Sequence, residues 1–334
     1  MKVTFFSAQP YDKFFFTELN ATYQFEMVFF GTHLGPHIVN AVSENTFCVC
    51  VFVNDKLTDE VITILASKGV KLIALRCAGF NNVDLDSAKR NNINVCRVPA
   101  YSPEAVAEHA VALILTLNRK IHKAYNRVRE QNFSLNGLLG FNLHGKTIGV
   151  IGTGKIGKAF VKIMLGFGCR VLAYDKFPDE HFKAPDFSYV DFEQVLRVSD
   201  VISLHCPLTA ENHYMINDAV LSRMKPGVMI INTSRGGLIN TDDMIKGLKS
   251  GKVAYFGLDV YEQEEKLFFR DLSATIIEDD RIQRLMSFPN VLVTGHQAFF
   301  TNEALNEIAS TTLSSIALVH AGKASQTVDG VMLV

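Results

Sequence analysis

The chain has 334 residues, of which 48% are hydrophobic and 20% charged, and its formal net charge is −1. That length exceeds what one hydrophobic core usually spans and predicts two domains. The even charge balance excludes the long-range pull on nucleic acid or anionic lipid that a strongly basic chain exerts, so a small-molecule partner is expected, with no nucleic acid and no membrane. No apolar run reaches membrane-span length, and MKVTFFSAQPYDK holds too short an apolar stretch for a signal peptide. The six cysteines lack paired Cys-x-x-Cys spacing. Reduced, buried thiols in a cytoplasmic protein are therefore expected.

Short β-rich runs alternate with helix-length segments from the first residues: VTFF near Val3, QFEMVFF to Phe30, FCVCVFV from Phe47, KLIALRCAG from Lys71 and INVCRV to Val98. This alternation predicts an α/β domain with a parallel sheet. Tyr101-Ser102-Pro103-Glu104 then sets serine before proline at a first helical position. The helix that follows is apolar almost all round over residues 105–118, which predicts packing between two domains or two subunits. A second series begins after Gly145 with KTIGVIG, RVLAYD, DVISLHCP, GVMIINTSRGG, YFGLDV and NVLVTGH. Six strands in that order predict a doubly wound nucleotide-binding unit. Residues 301–320 read as a helix with Leu305, Ile308, Ala309, Leu313 and Ile316 on one side, returning the chain to the first domain. The expected layout is a discontinuous domain of residues 1–100 with 301–334 around a continuous domain of residues 101–300.

Gly152-Thr153-Gly154-Lys155-Ile156-Gly157 fits Gly-x-Gly-x-x-Gly, and it stands between the strand run TIGVI and the helical run KAFVKIMLGFG. In that context the first glycine permits the tight turn, the second lets backbone approach a pyrophosphate, and the third lets helix and strand pack. The next strand ends in Asp175, where a carboxylate would accept hydrogen bonds from ribose hydroxyls and repel a 2′-phosphate. NAD is therefore expected over NADP, with the adjacent Lys176 tempering the preference. Later strand ends bring Cys206-Pro207, Thr233-Ser234-Arg235 and Asp259 to the same sheet edge.

Reducing a 2-keto acid requires a cation to hold the carboxylate, an acid to protonate the carbonyl oxygen and a group to support that acid. Three strand ends offer such residues: Arg235 after MIINTS, the acidic run Glu262, Glu264 and Glu265 after GLDVY, and His296 after VLVTG. Spacing alone does not choose among the three glutamates. Each residue also has an ordinary structural explanation, and His296 is one of ten histidines.

RCAGFNNVDL, VPAYSPEAVAEHAVALIL, HGKTIGVIGTGKIG, HCPLTAENHYMIN, MIINTSRGGLINT, GLDVYEQEEKLFF and NVLVTGHQAFFTNEAL together resemble the D-isomer-specific 2-hydroxyacid dehydrogenases nearly end to end, and within them the lactate-forming branch. The resemblance implies two Rossmann-like or flavodoxin-like α/β domains with parallel sheets and an active site in the cleft between them. It places the catalytic arginine on Arg235, the catalytic glutamate on Glu264 and the acid/base histidine on His296. It implies NAD contacts at Lys155, Ile156, Asp175, Cys206, Pro207, Asn212, Thr233, Ser234, Arg235 and Asp259 beside the glycines, and substrate contacts at Gly79, Tyr101, Arg235, His296 and Phe299. The implied reaction is the reversible NADH-dependent reduction of pyruvate to D-lactate by a homodimer or homotetramer, with no metal. Arg235 would hold the carboxylate, and His296, supported by Glu264, would protonate the ketone oxygen. The aromatic residues Tyr101, Phe299 and Phe300 favour a small substrate. Competing readings are a relative acting on a larger 2-keto acid and an NAD-sensing corepressor.

Overall fold

The structure is a computed structural model that describes residues 1–334. The first alternating runs fold as β1 (Lys2–Phe5), α1 (Pro10–Leu19), β2 (Glu26–Phe29), β3 (Thr46–Val51), α2 (Asp59–Ser67), β4 (Leu72–Leu75), α3 (Leu85–Arg90) and β5 (Asn94–Arg97). These strands pair in parallel in the order β2-β1-β3-β4-β5, one of the two common doubly wound orders. The central strands β3 and β4 are continuous apolar runs because both of their faces are covered. Cys48, Cys50 and Cys96 serve here as small core side chains.

The chain continues through α4 (Pro103–Arg119), α5 (Ile121–Arg129), β6 (Thr147–Ile151), α6 (Lys155–Gly166), β7 (Arg170–Tyr174), β8 (Phe187–Tyr189), α7 (Phe192–Val198), β9 (Val201–Leu204), α8 (Asp218–Arg223), β10 (Val228–Asn232), α9 (Thr241–Lys249), β11 (Val253–Leu258), α10 (Asp280–Ser287), β12 (Val291–Val293) and α11 (Asn302–His320). The second sheet is parallel, in the order β12-β11-β10-β9-β6-β7-β8. Counted from β6, this is the dinucleotide-binding order with one further strand at the far edge. The sequence predicts six strands here and the structure has seven. The added strand, β8, is three residues, Phe-Ser-Tyr, paired with β7 at the sheet edge, too short to show an alternation of its own.

The chain divides into two compact units, one of Met1–Ser102 with Phe300–Val334 and one of Pro103–Phe299. In the first unit α11 packs on α1, β4 and β5. The C-terminal residues run antiparallel beside β5, with Leu333 N donating to Val95 O at 2.8 Å and Arg97 N to Val331 O at 2.9 Å. That strap covers a sheet edge that would otherwise expose unpaired backbone groups.

Within the second unit α4 lies against α6, β10 and β11, and Ala107, Ala110, Val111, Leu113, Ile114 and Leu117 join that unit's own core. Most of the helix's apolar surface is thereby spent on its own unit. Lys120, in the left-handed region at φ 51°, ends α4, and the sequence did not mark the short helix α5 that follows, which has no buried residue. No helix is long and apolar enough to cross a membrane.

Candidate active site

In the second sheet the strand order reverses between β6 and β9, and ligands of such sheets lie beyond the carboxyl ends of the strands at that point. The glycine turn follows β6. Gly152 has φ 97°, and a Cβ there would stand 2.6 Å from Cys206 N, so the turn after β6 and the loop after β9 touch through backbone. A Cβ on Gly157 would lie 2.0 Å from Gly152 O, which locks α6 against the turn. Gly154 differs, because a Cβ there would meet nothing within 4 Å. It caps α6 without a side-chain hydrogen bond, leaving the first-turn N–H groups, those of Lys155 and Ile156 among them, without intrahelical acceptors.

Asp175, one residue beyond β7, accepts from Thr153 N at 2.6 Å and Thr153 Oγ1 at 2.9 Å through one oxygen, and from Phe177 N at 2.8 Å through the other. The carboxylate thus braces the glycine turn and keeps acceptor capacity for hydroxyl donors. Lys176 is paired with Glu211 at 2.8 Å. Beyond β9, burial pushes the Cys206 thiol up to about 11, so it stands as a neutral group beside Pro207. Asn212 braces its own loop, donating to Pro207 O at 2.8 Å and accepting from Thr209 N at 2.7 Å. After β10, Ser234 Oγ donates to Leu204 O at 2.8 Å, while Thr233 Oγ1 is buried with no partner. An open glycine cradle, an uncapped helix start and an orphaned hydroxyl at one sheet edge fit a dinucleotide.

The proton-handling group stands on the loop beyond β12. His296 Nδ1 lies 2.9 Å from Glu264 Oε1, and Glu264 Oε2 accepts from Tyr261 N at 3.0 Å, so the carboxylate orients the ring. Facing an ionised carboxylate, Nδ1 carries hydrogen and Nε2 is the nitrogen left for chemistry. The glutamates that spacing leaves equivalent are separated here, since Glu262 accepts from Tyr214 Oη at 2.6 Å and pairs with Arg281 at 3.4 Å. Glu265 is exposed.

Arg235 is half-buried, its carbonyl held by Asn232 Nδ2 at 2.9 Å and its Nη1 donating to Ser234 O at 2.7 Å. A Cβ on the following Gly236 would be 2.1 Å from Tyr261 C, so the arginine loop packs on the backbone that leads to Glu264. Of the remaining expected residues, Gly79 O accepts from Cys77 Sγ at 3.3 Å in the loop after β4, Tyr101 is half-buried just before α4, and Phe299 is buried at the end of the second unit.

Asp259, fully buried one residue beyond β11, does more than sequence suggests. Its backbone carbonyl accepts from His296 N at 2.8 Å. Its carboxylate accepts from Gln297 N at 2.9 Å, Ala298 N at 2.8 Å and Thr294 Oγ1 at 2.5 Å. Burial opposes its charge, yet hydrogen bonds from His109, Thr294 and Ala298 hold the carboxyl below the usual carboxylate range. His109 and Thr294 were not singled out from sequence. His109 sits in a helix read as apolar, and its partner is distant in the chain.

The chain is similar to known proteins over nearly its whole length. Residues 111–298 match the family described as "D-isomer specific 2-hydroxyacid dehydrogenase, NAD binding domain". The chain is 50% identical over 323 residues to the D-lactate dehydrogenase of Escherichia coli K12, covering 97% of this chain and 98% of that protein. The apo-structure of D-lactate dehydrogenase from Escherichia coli superposes with a TM-score of 0.89 at 47% identity, covering 100% of both chains. The Aquifex aeolicus D-lactate dehydrogenase complexed with NAD and lactic acid gives a TM-score of 0.87 at 36% identity, covering 99% of this chain and 98% of that one.

Proposed function

The chain belongs to the D-isomer-specific 2-hydroxyacid dehydrogenase family, and from that premise we propose that it is a D-lactate dehydrogenase, reducing pyruvate to D-lactate with NADH and running the reverse oxidation. The observation that carries this reading is the His296–Glu264 pair at 2.9 Å, set at the carboxyl edge of a sheet whose glycine turn is open. Bound NADH supplies two electrons and one hydrogen to C2 of the substrate. Gly152, Gly154 and Gly157 give the pyrophosphate room against the start of α6, Asp175 takes the ribose hydroxyls, and Cys206, Pro207, Thr233 and Ser234 line the remaining edge, with Asn212 and the buried Asp259 shaping it rather than Asp259 contacting NAD directly.

The Arg235 guanidinium grips the substrate carboxylate, where a planar fork binds in bidentate fashion, and polarises the adjoining ketone. His296 Nε2 gives its proton to the carbonyl oxygen as C2 is reduced. The Glu264 carboxylate offsets the ring's charge while the proton is held and fixes which nitrogen presents it. In oxidation His296 Nε2 takes the hydroxyl proton of lactate. Gly79, Tyr101 and Phe299 contact the substrate.

The test is a set of steady-state rates with NADH across pyruvate, 2-ketoisocaproate, phenylpyruvate, oxaloacetate and hydroxypyruvate, followed by chiral analysis of the product. Pyruvate is expected to give the highest kcat/KM and a D-lactate product. A preference for a branched or aromatic keto acid, or an L-product, contradicts the reading.

The same proposal extends to assembly, as a homodimer or homotetramer in the cytoplasm. Ile121, Tyr125 and Val128 on α5 are exposed, as are Phe133, Leu135 and Leu139 in the segment that follows, the last 87% exposed, and clustered exposed apolar residues mark protein interfaces. Sedimentation should give a dimer or larger species, and a monomer at micromolar concentration would contradict this part.

A further inference from the structure

Asp259 binds three consecutive backbone amides: its carbonyl takes His296 N and its carboxylate takes Gln297 N and Ala298 N. His296 lies in the left-handed region at φ 54°, a conformation that a non-glycine residue keeps only when its surroundings enforce it. Those three hydrogen bonds are the enforcement, so the placement of the imidazole depends on where the Asp259 carboxylate is held. Two side chains hold it. Thr294 Oγ1 donates its one hydrogen to Asp259 Oδ1 at 2.5 Å, and His109 Nε2, on α4, lies 3.1 Å from Thr294 Oγ1 and 3.4 Å from Asp259 Oδ1. With the threonine hydrogen already committed and the carboxylate accepting only, His109 Nε2 must be a donor to both. The direction of the hydrogen bonds from His109 to the loop is thereby fixed.

We propose that His109 is a positioning residue for the reaction: its Nε2–H, shared between Thr294 and Asp259, ties the loop that carries His296 to α4 and sets where the proton-transferring nitrogen stands. The inference rests on His296 being the proton donor. Displacing a reacting group by about 1 Å costs up to ~10²-fold in rate, so the effect falls on kcat more than on pyruvate KM. His109→Leu is expected to lower kcat about 10- to 100-fold with pyruvate KM within about threefold. His109→Gln, which restores an N–H at that reach, should recover most of the loss. Thr294→Val, which keeps His109 and removes the relay, should lose as His109→Leu does.

A second readout needs no substrate. Nitrogen-15 NMR of the imidazoles should show the His296 Nδ1–H signal shifted or exchange-broadened in His109→Leu and restored in His109→Gln. Wild-type kcat in His109→Leu, equal losses in the leucine and glutamine variants, or an unmoved His296 ring signal overturns the proposal. If the wild-type enzyme reduces no 2-keto acid, the functional reading has failed instead, and the ring signal alone decides the role of His109.

Discussion

The two parallel sheets reverse strand order at corresponding places, between β1 and β3 in the first unit and between β6 and β9 in the second, yet the chain treats these two crevices in opposite ways. In the first unit its own groups fill the position. Asp55, one of two carboxylates there, accepts from Ser7 Oγ at 2.7 Å, Leu34 N at 2.6 Å and Phe52 N at 2.5 Å. The other, Asp12, accepts from Gln9 N at 2.8 Å and pairs with Arg76 Nε at 3.2 Å, and Arg76 Nη2 also holds Ser7 O at 2.7 Å. Arg76 is 1% exposed and Asp55 is not exposed at all. In the second unit the helix start at Gly154 faces open space. One architecture thus holds the chain's own charged groups in one crevice and leaves an open, uncapped helix start in the other, and the difference is made by a few residues after the strand ends.

Breaking the closed crevice should have the largest effect on folding. Arg76→Met removes a buried cation and strands Asp12 beside Asp55, which should cost about 3–5 kcal/mol of stability. Denaturant unfolding would measure it, and a loss below about 1 kcal/mol would show that the pairing does not hold that crevice together. The opposite outcome is expected of Gly154→Ala in the open crevice. Its added methyl meets no protein atom within 4 Å, so stability should stay level while the Kd for NADH rises about 10- to 100-fold, or about 1.4–2.8 kcal/mol. Unchanged NADH binding by fluorescence titration would remove the pyrophosphate from that position.

The pH dependence of stability sharpens the contrast on the second unit's side. The Asp259 carboxyl is held below its ordinary value, so its contribution is present above the unfolded value of about 3.9 and is lost as pH falls through the folded one. Wild-type protein should therefore lose more of its melting temperature than Asp259→Asn on acidification from neutrality to about pH 3. Equal losses would mean that the carboxylate is not held as described. The smallest effect concerns cofactor choice: Lys176 is occupied by Glu211, and Glu211→Gln frees it. A gain of about two- to fivefold in kcat/KM with NADPH is expected, as suits an exposed pair, and no gain would leave NAD preference to Asp175 alone.

Much of this arrangement is legible in the sequence because it is local. Gly152, Gly154 and Gly157 announce their roles by standing between a strand and a helix, and the runs from Val3 to Val98 show as short apolar, β-rich stretches alternating with helix-length segments. What stays hidden depends on partners far along the chain. Spacing cannot separate Glu264 from Glu262; the ring of His296 and the hydroxyl of Tyr214 do so in space. His109 reads as one polar residue in an apolar helix, and its partner Thr294 is on another element. Likewise the all-round apolar character of α4 shows that it packs but not on what, and the sheet beneath it becomes visible only in the fold, while β8 is too short for any period.

The central claim is that His296 exchanges the substrate proton while Glu264 orients it, and the most direct measurement compares His296→Ala with wild type in both pyruvate turnover and NADH binding. The account predicts a fall in kcat of about 10²- to 10⁴-fold with NADH affinity kept. Turnover at the wild-type rate would contradict it.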